Sequence, residues 1–158
     1  MGWDGKFFTN WLREYPESFF EKQPLSARLK ESFEELDHER GLARLSFEIG
    51  ADFCNYSGRV HGGTIALMID EAIGVAAFSY VGDRFKATVE SKTSFFRSLW
   101  PGAVVVEAKV VHLAPTLCFL EAKVIDQEGA VVAKSMATIA LKPLPVESAG
   151  PAGQGGPS

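Results

Sequence analysis

The segment TIALMIDEAIGVAAFSYV, residues 64–81, decides the fold of this chain. It is rich in Ala, Leu and Met, it is apolar on every side, and Asp70 and Glu71 are its only charged residues. A helix that is apolar all round is a buried helix. Gly82 follows directly, and glycine is the residue that most commonly ends a helix. The sequence therefore predicts one long, buried helix over residues 64–81.

Runs with strand character lie on both sides of this helix. Residues 42–49 alternate between two sets of side chains with a period of two, which is typical of a strand. The segment DQEG between the last two runs predicts a tight hairpin turn. Two strands, one helix and four strands predict an α+β fold, in which a curved antiparallel sheet wraps one central helix. The predicted strands cover residues 31–39, 42–49, 87–97, 103–113, 117–126 and 130–141.

The two ends of the chain differ in composition from its middle. Residues 7–15 have apolar side chains at helical spacing, and Pro16 ends that pattern. Further short helical segments are predicted at residues 18–20 and 24–30. The last residues are rich in Gly, Pro and Ser, which is typical of a disordered tail. We therefore predict an N-terminal helical extension at residues 1–30, one domain at residues 31–143 and a disordered tail at residues 144–158.

Bulk composition excludes several classes of protein. The chain has 158 residues, a net charge of −4 and no concentration of basic residues that would predict nucleic-acid binding. From its N-terminal residues we expect no secretory leader, and no uncharged apolar stretch reaches the roughly 18 residues needed to span a membrane. Cys54 and Cys118 lack the spacing of a zinc site or a disulfide framework. We expect both to be small buried side chains in a cytoplasmic protein.

The residues just before the helix suggest a binding function. Backbone N–H groups at a helix start are unpaired and carry partial positive charge. The glycines of the sequence HGG, residues 61–63, would let a ligand approach closely because they lack a Cβ atom. Such a site can bind an anion or stabilise a developing oxyanion. The alternative is a glycine turn that only packs the helix against the sheet.

Two neighbouring carboxylates interrupt the apolar helix. Burying an ionised carboxylate is costly, so Asp70 is predicted to be paired or functional. Glu71 lies about 100° further around the helix, so the two side chains cannot share one face. For Glu71 we expect a solvated position or a salt bridge. His61 has the simpler alternative of packing or hydrogen-bonding within its loop.

These residues form a recognisable pattern. Asn55-x-x-Gly58-x-x-His61-Gly62-Gly63, with Asp70 nine residues after the histidine, resembles the hot-dog-fold acyl-CoA thioesterases of the phenylacetate-degradation type. Those enzymes are similar in fold and strategy to the 4-hydroxybenzoyl-CoA thioesterases. The segment TVESKTSFFRSLWPG, residues 88–102, resembles the strand that follows the helix in that family. The resemblance covers residues 24–143.

The resemblance implies a function and a set of site residues. The reaction would be hydrolysis of an acyl thioester to a carboxylate and free CoA, with no metal or other cofactor. Asp70 would be the general base or nucleophile, and the backbone N–H of Gly62 would polarise the thioester carbonyl. The implied supporting residues are Asn55 for the carbonyl or the water, His61 for the loop, Thr88 near the water, and Gly63 and Arg97 for substrate binding. Ser91, Lys92 and Thr93 depart from the family's usual apolar run.

Helix geometry adds an argument about assembly. Gly62 and Asp70 are eight residues apart, which is roughly 12 Å along a helix. A donor and a base that act on one carbonyl must each come within about 3 Å of it or of its water. Two antiparallel helices from two chains can meet that condition, which predicts a homodimer with two shared sites. The resemblance implies that such dimers often pair into homotetramers.

Two other functions remain open at this point. One is an enoyl-CoA hydratase-like enzyme, and the other is a non-catalytic acyl-CoA-binding module. The sequence leaves the acyl group open, and it does not distinguish CoA from an acyl-carrier protein as the carrier.

Overall fold

The computed structural model describes Phe20 and residues 23–143. The helix predicted at residues 7–15, most of the segment at 18–20 and the tail at 144–158 lie outside the described residues. The part of the N-terminal extension that is described contains a short helix, as predicted for residues 24–30. It begins at Pro24, whose fixed φ angle suits the first position of a helix, and Lys30 ends it in the left-handed conformation.

The helices and strands follow the predicted order. The second helix begins two residues before the predicted start, and the strand after it begins two residues early. The elements are α1 Pro24–Leu29, β1 Ser32–Asp37, β2 Leu42–Ile49, α2 Gly62–Val81, β3 Phe85–Phe95, β4 Gly102–Leu113, β5 Leu117–Asp126 and β6 Val131–Leu141.

The six strands form one antiparallel sheet in the order β1-β2-β4-β5-β6-β3. Helix α2 packs against one face of this sheet and contacts β4, β5, β3 and β2. The sheet is not closed into a barrel. The predicted α+β architecture, an antiparallel sheet with one long helix, is confirmed.

One face of α2 forms the core with the inner side chains of the sheet. Met68, Ile69 and Ile73 are fully buried against residues such as Leu45 and Leu120. By length and composition, Gly62–Arg84 could also cross a membrane. Its buried face identifies it instead as the core helix of this fold.

The opposite face of α2 is open, contrary to the prediction of a helix buried on every side. Gly63, Ala66 and Asp70 recur at intervals of three or four residues and are exposed. The sheet covers only the other side of the helix. An apolar composition therefore predicted the helix correctly but overestimated how much of it one chain covers.

Strand β3 lies at an edge of the sheet next to this open face. Within the described residues it pairs only with β6. It is 11 residues long, and Val89 and Phe95 are 63% and 52% exposed. A long edge strand with exposed apolar side chains is a surface on which another strand can pair.

Candidate active site

The loop before α2 is held by Asn55. Its Oδ1 atom accepts hydrogen bonds from the Ser57 amide at 3.0 Å, the Ser57 hydroxyl at 2.7 Å and the Arg59 amide at 3.3 Å. A side-chain oxygen that accepts from the backbone two residues ahead forms an Asx turn. Asn55 therefore shapes the loop, and its amide Nδ2 is the group left to contact a substrate.

His61 caps the start of α2. Its Nδ1 atom accepts a hydrogen bond from the Gly63 amide at 3.1 Å. Because Nδ1 accepts this hydrogen bond, it carries no proton, and the ring proton lies on Nε2. The predicted role of His61 in shaping the loop agrees with this contact. Gly63, predicted to bind substrate, donates its N–H to His61 instead of presenting it to solvent.

Among the residues that the structure describes, the backbone N–H of Gly62 has no partner at the same helix start. Thr64 and Ile65 donate to the His61 carbonyl, His61 donates to Phe53, and Gly63 donates to the His61 ring. Across the described residues, no hydrogen bond from the Gly62 N–H is found. A Cβ atom at Gly62 would lie 3.6 Å from the ring of Phe95 on β3. The Gly62 N–H thus lies at the helix start, a position that favours anions, and beside the Phe95 ring.

Asp70 lies on the open face of α2 and contacts β3. The Thr88 hydroxyl donates to Asp70 Oδ1 at 2.9 Å. The structure therefore joins two residues that lie eighteen positions apart and that the sequence had placed in one site. The expectation that Asp70 is buried is wrong, because its side of α2 is the one that the sheet leaves uncovered. Oδ2 remains able to accept a hydrogen bond from water.

Gly62 and Asp70 lie at two separate contacts between α2 and β3. Phe95 forms the contact at Gly62, and Thr88 forms the contact at Asp70. The helix between the two residues is continuous, so they are about 12 Å apart along its axis. One chain therefore holds the anion-stabilising donor and the carboxylate too far apart to act on one atom.

The surroundings of Glu71 differ from those expected from the sequence. It is half-buried, and within the described residues it forms no salt bridge. Burial raises the pKa of the Glu71 carboxyl, and the charge of Asp70 raises it further. Glu71 is thus neither a solvated side chain nor half of an ion pair.

Glu31 is a buried acid that the sequence analysis missed. It is 8% exposed, and neither of its carboxyl oxygens has a hydrogen-bond partner in the described part of the chain. Burial raises the pKa of Glu31 to about 8, the charge of Glu71 also raises it, and the nearby Ser26 hydroxyl acts in the opposite direction. At neutral pH this side chain is a carboxylic acid. The local sequence does not predict that Glu31 is buried, because the residues that cover its side chain belong to α1 and α2.

The raised pKa of Glu31 predicts that the stability of the protein depends on pH. The folded protein holds its proton up to a pH of about 8, whereas the unfolded chain releases it near 4.5. Stability therefore falls as pH rises from about 4.5 to about 8, because the folded state binds more protons in that window. Glu31→Gln should remove this fall and stabilise the protein by about 5 kcal/mol at pH 8.5, at about 1.4 kcal/mol per pKa unit. Urea unfolding at pH 5 and pH 8.5 measures the difference, and equal pH dependence in both proteins would contradict it.

Arg97 is the last of the predicted site residues. Arg97 is exposed in the segment after β3, and its amide donates to the Val132 carbonyl at 3.4 Å. No described contact brings its guanidinium to Asp70 or Gly62. Arg59, which the sequence analysis did not select, lies over the Trp100 ring at 3.3 Å and ties the loop before α2 to the loop after β3. No converging group of three metal-ligating side chains is found among the residues that the structure describes.

The expectation of buried cysteines is confirmed for Cys118 but not for Cys54. Cys118 is fully buried, and burial raises the pKa of its thiol to about 11. Cys54 is half-buried, and neither cysteine is in a disulfide. A thiol with a raised pKa is a poor nucleophile at neutral pH.

Comparisons with known proteins agree with this fold. The sequence model of the thioesterase superfamily matches residues 57–133, which include α2 and β3. A curated protein of Saccharolobus solfataricus that bears a provisional esterase name, SSO2140, is 29% identical over 62% of this chain and 70% of its own length. The conserved protein PA5202 of Pseudomonas aeruginosa is 27% identical, with a TM-score of 0.68 over 76% of this chain and 94% of that one.

A third comparison concerns the fold alone. The E. coli PaaI protein, from the phenylacetic acid degradation operon, has a TM-score of 0.73 and 17% identity over 85% of this chain and 95% of that one. The resemblance to the thioesterase superfamily is confirmed over residues 57–133, and the chain has the hot-dog fold that the resemblance implied. The matched family model and the Saccharolobus relative support thioester hydrolase activity.

Proposed function

We propose that this protein hydrolyses an acyl-CoA thioester to a carboxylate and free CoA. The observation that supports this most directly is the Thr88–Asp70 hydrogen bond of 2.9 Å on the open face of α2. Thr88 holds Oδ1, which leaves Oδ2 to orient a water molecule or to attack directly. A carboxylate fixed in this way at an uncovered surface is arranged for chemistry rather than for stability.

Two groups carry out the proposed reaction, the Asp70 carboxylate and the backbone N–H of Gly62. Asp70, as a general base, takes a proton from water while the water oxygen bonds to the thioester carbon. The carbonyl π electrons move onto oxygen, and the Gly62 N–H stabilises that negative charge. The carbon–sulfur bond then breaks, the electron pair leaves with sulfur, and the proton returns from Asp70 to give the free thiol. If Asp70 instead attacks as a nucleophile, an anhydride forms first and water then hydrolyses it.

The two groups meet in a proposed homodimer. The free edge of β3 can pair with β3 of a second copy around a two-fold axis. The open face of α2, which carries Gly63, Ala66 and Asp70, would then lie against the same face of the second copy. Antiparallel packing of the two helices would bring Gly62 of each chain to Asp70 of the other. Two such dimers can form a homotetramer. The free cysteines and the apolar helix within the fold support a cytoplasmic location.

Release of free thiol from acyl-CoA substrates tests the proposal. The purified chain should release CoA from at least one of a panel of short-chain, long-chain and aryl thioesters, with or without a metal chelator. Addition of water to an enoyl-CoA without thiol release would indicate the hydratase-like alternative. Binding of acyl-CoA without turnover would indicate the non-catalytic module. Nδ1 of His61 already accepts the hydrogen bond that caps α2. His61 is therefore poorly placed for the proton transfers of a hydratase.

A further inference from the structure

An arginine and a tryptophan join the two loops that meet at the start of α2. The guanidinium carbon of Arg59, in the loop before α2, lies 3.3 Å from the centre of the Trp100 ring, in the loop after β3. A cation directly over an indole ring is attracted by the negative face of the ring. Beside this contact, the Val60 amide donates to the carbonyl of the buried Leu99 at 2.9 Å. We call Arg59 and Trp100 the loop stack.

The Arg59 side chain is fixed to its own loop at several points. Its Nη1 atom donates to the Ser57 carbonyl at 3.2 Å, and its backbone amide donates to Asn55 Oδ1 at 3.3 Å. The Asn55 amide donates to the Arg59 carbonyl at 2.8 Å. Among the described residues, no carboxylate forms a salt bridge with Arg59. The Trp100 ring is therefore the group outside this loop that holds the cation in place.

The segment that carries Trp100 also reaches the first residue of α2. Phe95 begins this segment, and its ring would lie 3.6 Å from a Cβ atom at Gly62. Five residues later, Trp100 lies against Arg59. Arg59 is three residues before Gly62, so a shift of the loop also moves the Gly62 N–H. A displacement of about 1 Å can cost a reacting group about a hundredfold in rate.

We propose that Arg59 and Trp100 are positioning residues, which hold the loop before α2 so that the Gly62 N–H points at the reacting carbonyl. This inference rests on the proposed hydrolysis at Asp70. A planar guanidinium on a rigid ring loses little side-chain freedom when the contact forms, which suits the loop stack to fixing a loop. The stack acts through the loop, so its loss should reduce stabilisation of the transition state and leave substrate binding unchanged.

Thiol release, with kcat and KM measured separately, tests the loop stack. Trp100→Leu removes the ring and should lower kcat by about tenfold to a hundredfold, while KM changes by less than about threefold. Trp100→Phe keeps a flat ring under the guanidinium and should restore most of kcat. Phe96→Leu is the matched control and should keep kcat. Phe96 is in the same segment and is 57% exposed, as Trp100 is, but it borders the face of the sheet away from α2, with Lys92 and Lys134.

Arg59→Met tests the loop stack from its other side. Methionine has a similar length but neither the charge nor the planar group, so kcat should fall as it does in Trp100→Leu. Because both changes break one contact, Arg59→Met/Trp100→Leu should lose little more than either single variant. Losses that multiply would overturn the proposal. A loss in Arg59→Met with full activity in Trp100→Leu would also overturn it, since the charge of Arg59 rather than its position would then matter.

Amide hydrogen exchange at Val60 measures the loop without any substrate. Its N–H is bonded to Leu99, so exchange should become about tenfold faster in Trp100→Leu and stay unchanged in Phe96→Leu. A raised KM with unchanged kcat would assign Arg59 to substrate binding and overturn the proposal. If the unmodified protein releases no thiol from any acyl-CoA, the proposed hydrolysis fails. Exchange at Val60 would then still report separately whether the stack holds the loop.

Discussion

Asp70→Asn should keep the fold and lower kcat by at least about a hundredfold, the usual scale for removal of a general base. The amide oxygen of Asn can still accept the hydrogen bond from the Thr88 hydroxyl, so the contact between α2 and β3 persists. The amide cannot take a proton from water at neutral pH. Thiol release measures the loss, and thermal unfolding checks that the fold is retained.

Glu71→Gln is the matched control for Asp70→Asn. Glu71 is the next residue on α2, but it is half-buried and its side chain lies about 100° further around the helix. The same acid-to-amide change there should alter kcat by only a few-fold. If Glu71→Gln were inactive and Asp70→Asn active, the assignment of the working carboxylate would be wrong.

Gly62→Pro should lower kcat by about a hundredfold to a thousandfold, the scale for loss of one oxyanion donor. Proline removes the one N–H at the start of α2 that is left without a partner in the described chain. Proline is tolerated at the first position of a helix, which is where Gly62 lies. Steady-state thiol release measures the loss, and circular dichroism checks that the helix remains.

Gly62→Ala separates the lost N–H from the added side chain. Alanine keeps the N–H, and its Cβ would make an ordinary contact with Phe95 at 3.6 Å. We expect Gly62→Ala to retain most of the activity. If alanine lowered kcat as much as proline does, the space beside Phe95 rather than the N–H would explain the effect.

Local pattern predicted the order of elements well because each element carries its own signal. The long apolar run before Gly82 has the composition of a core helix. The alternation with a period of two in residues 42–49 is typical of a half-buried strand. Strand boundaries shifted by one or two residues where neighbours impose the register, as at the irregular pairing of Phe85 and Ala87 with β6. Boundaries depend on the partner strand, which a single segment does not specify.

Long-range contacts account for what the sequence did not predict. The resemblance placed Asp70 and Thr88 in one site, but the hydrogen bond between them and the exposure of Asp70 depend on how the sheet packs against α2. The burial of Glu31 depends on packing between elements that are distant in sequence. Ser91 and Thr93 were noticed only as polar residues on a strand, because Ser135, whose hydroxyl contacts both of theirs, lies more than forty residues away.

The central claim is that Gly62 of one chain and Asp70 of another form one site, and mixed dimers test it most directly. Asp70→Ala and Gly62→Pro, each first shown to fold and dimerise, should be nearly inactive alone. When the two are unfolded and refolded together, random pairing makes about half of the dimers mixed, and each mixed dimer has one intact site of two. Activity should recover to about a quarter of the wild-type value. Well-folded mixed dimers that recover no activity would contradict the shared site.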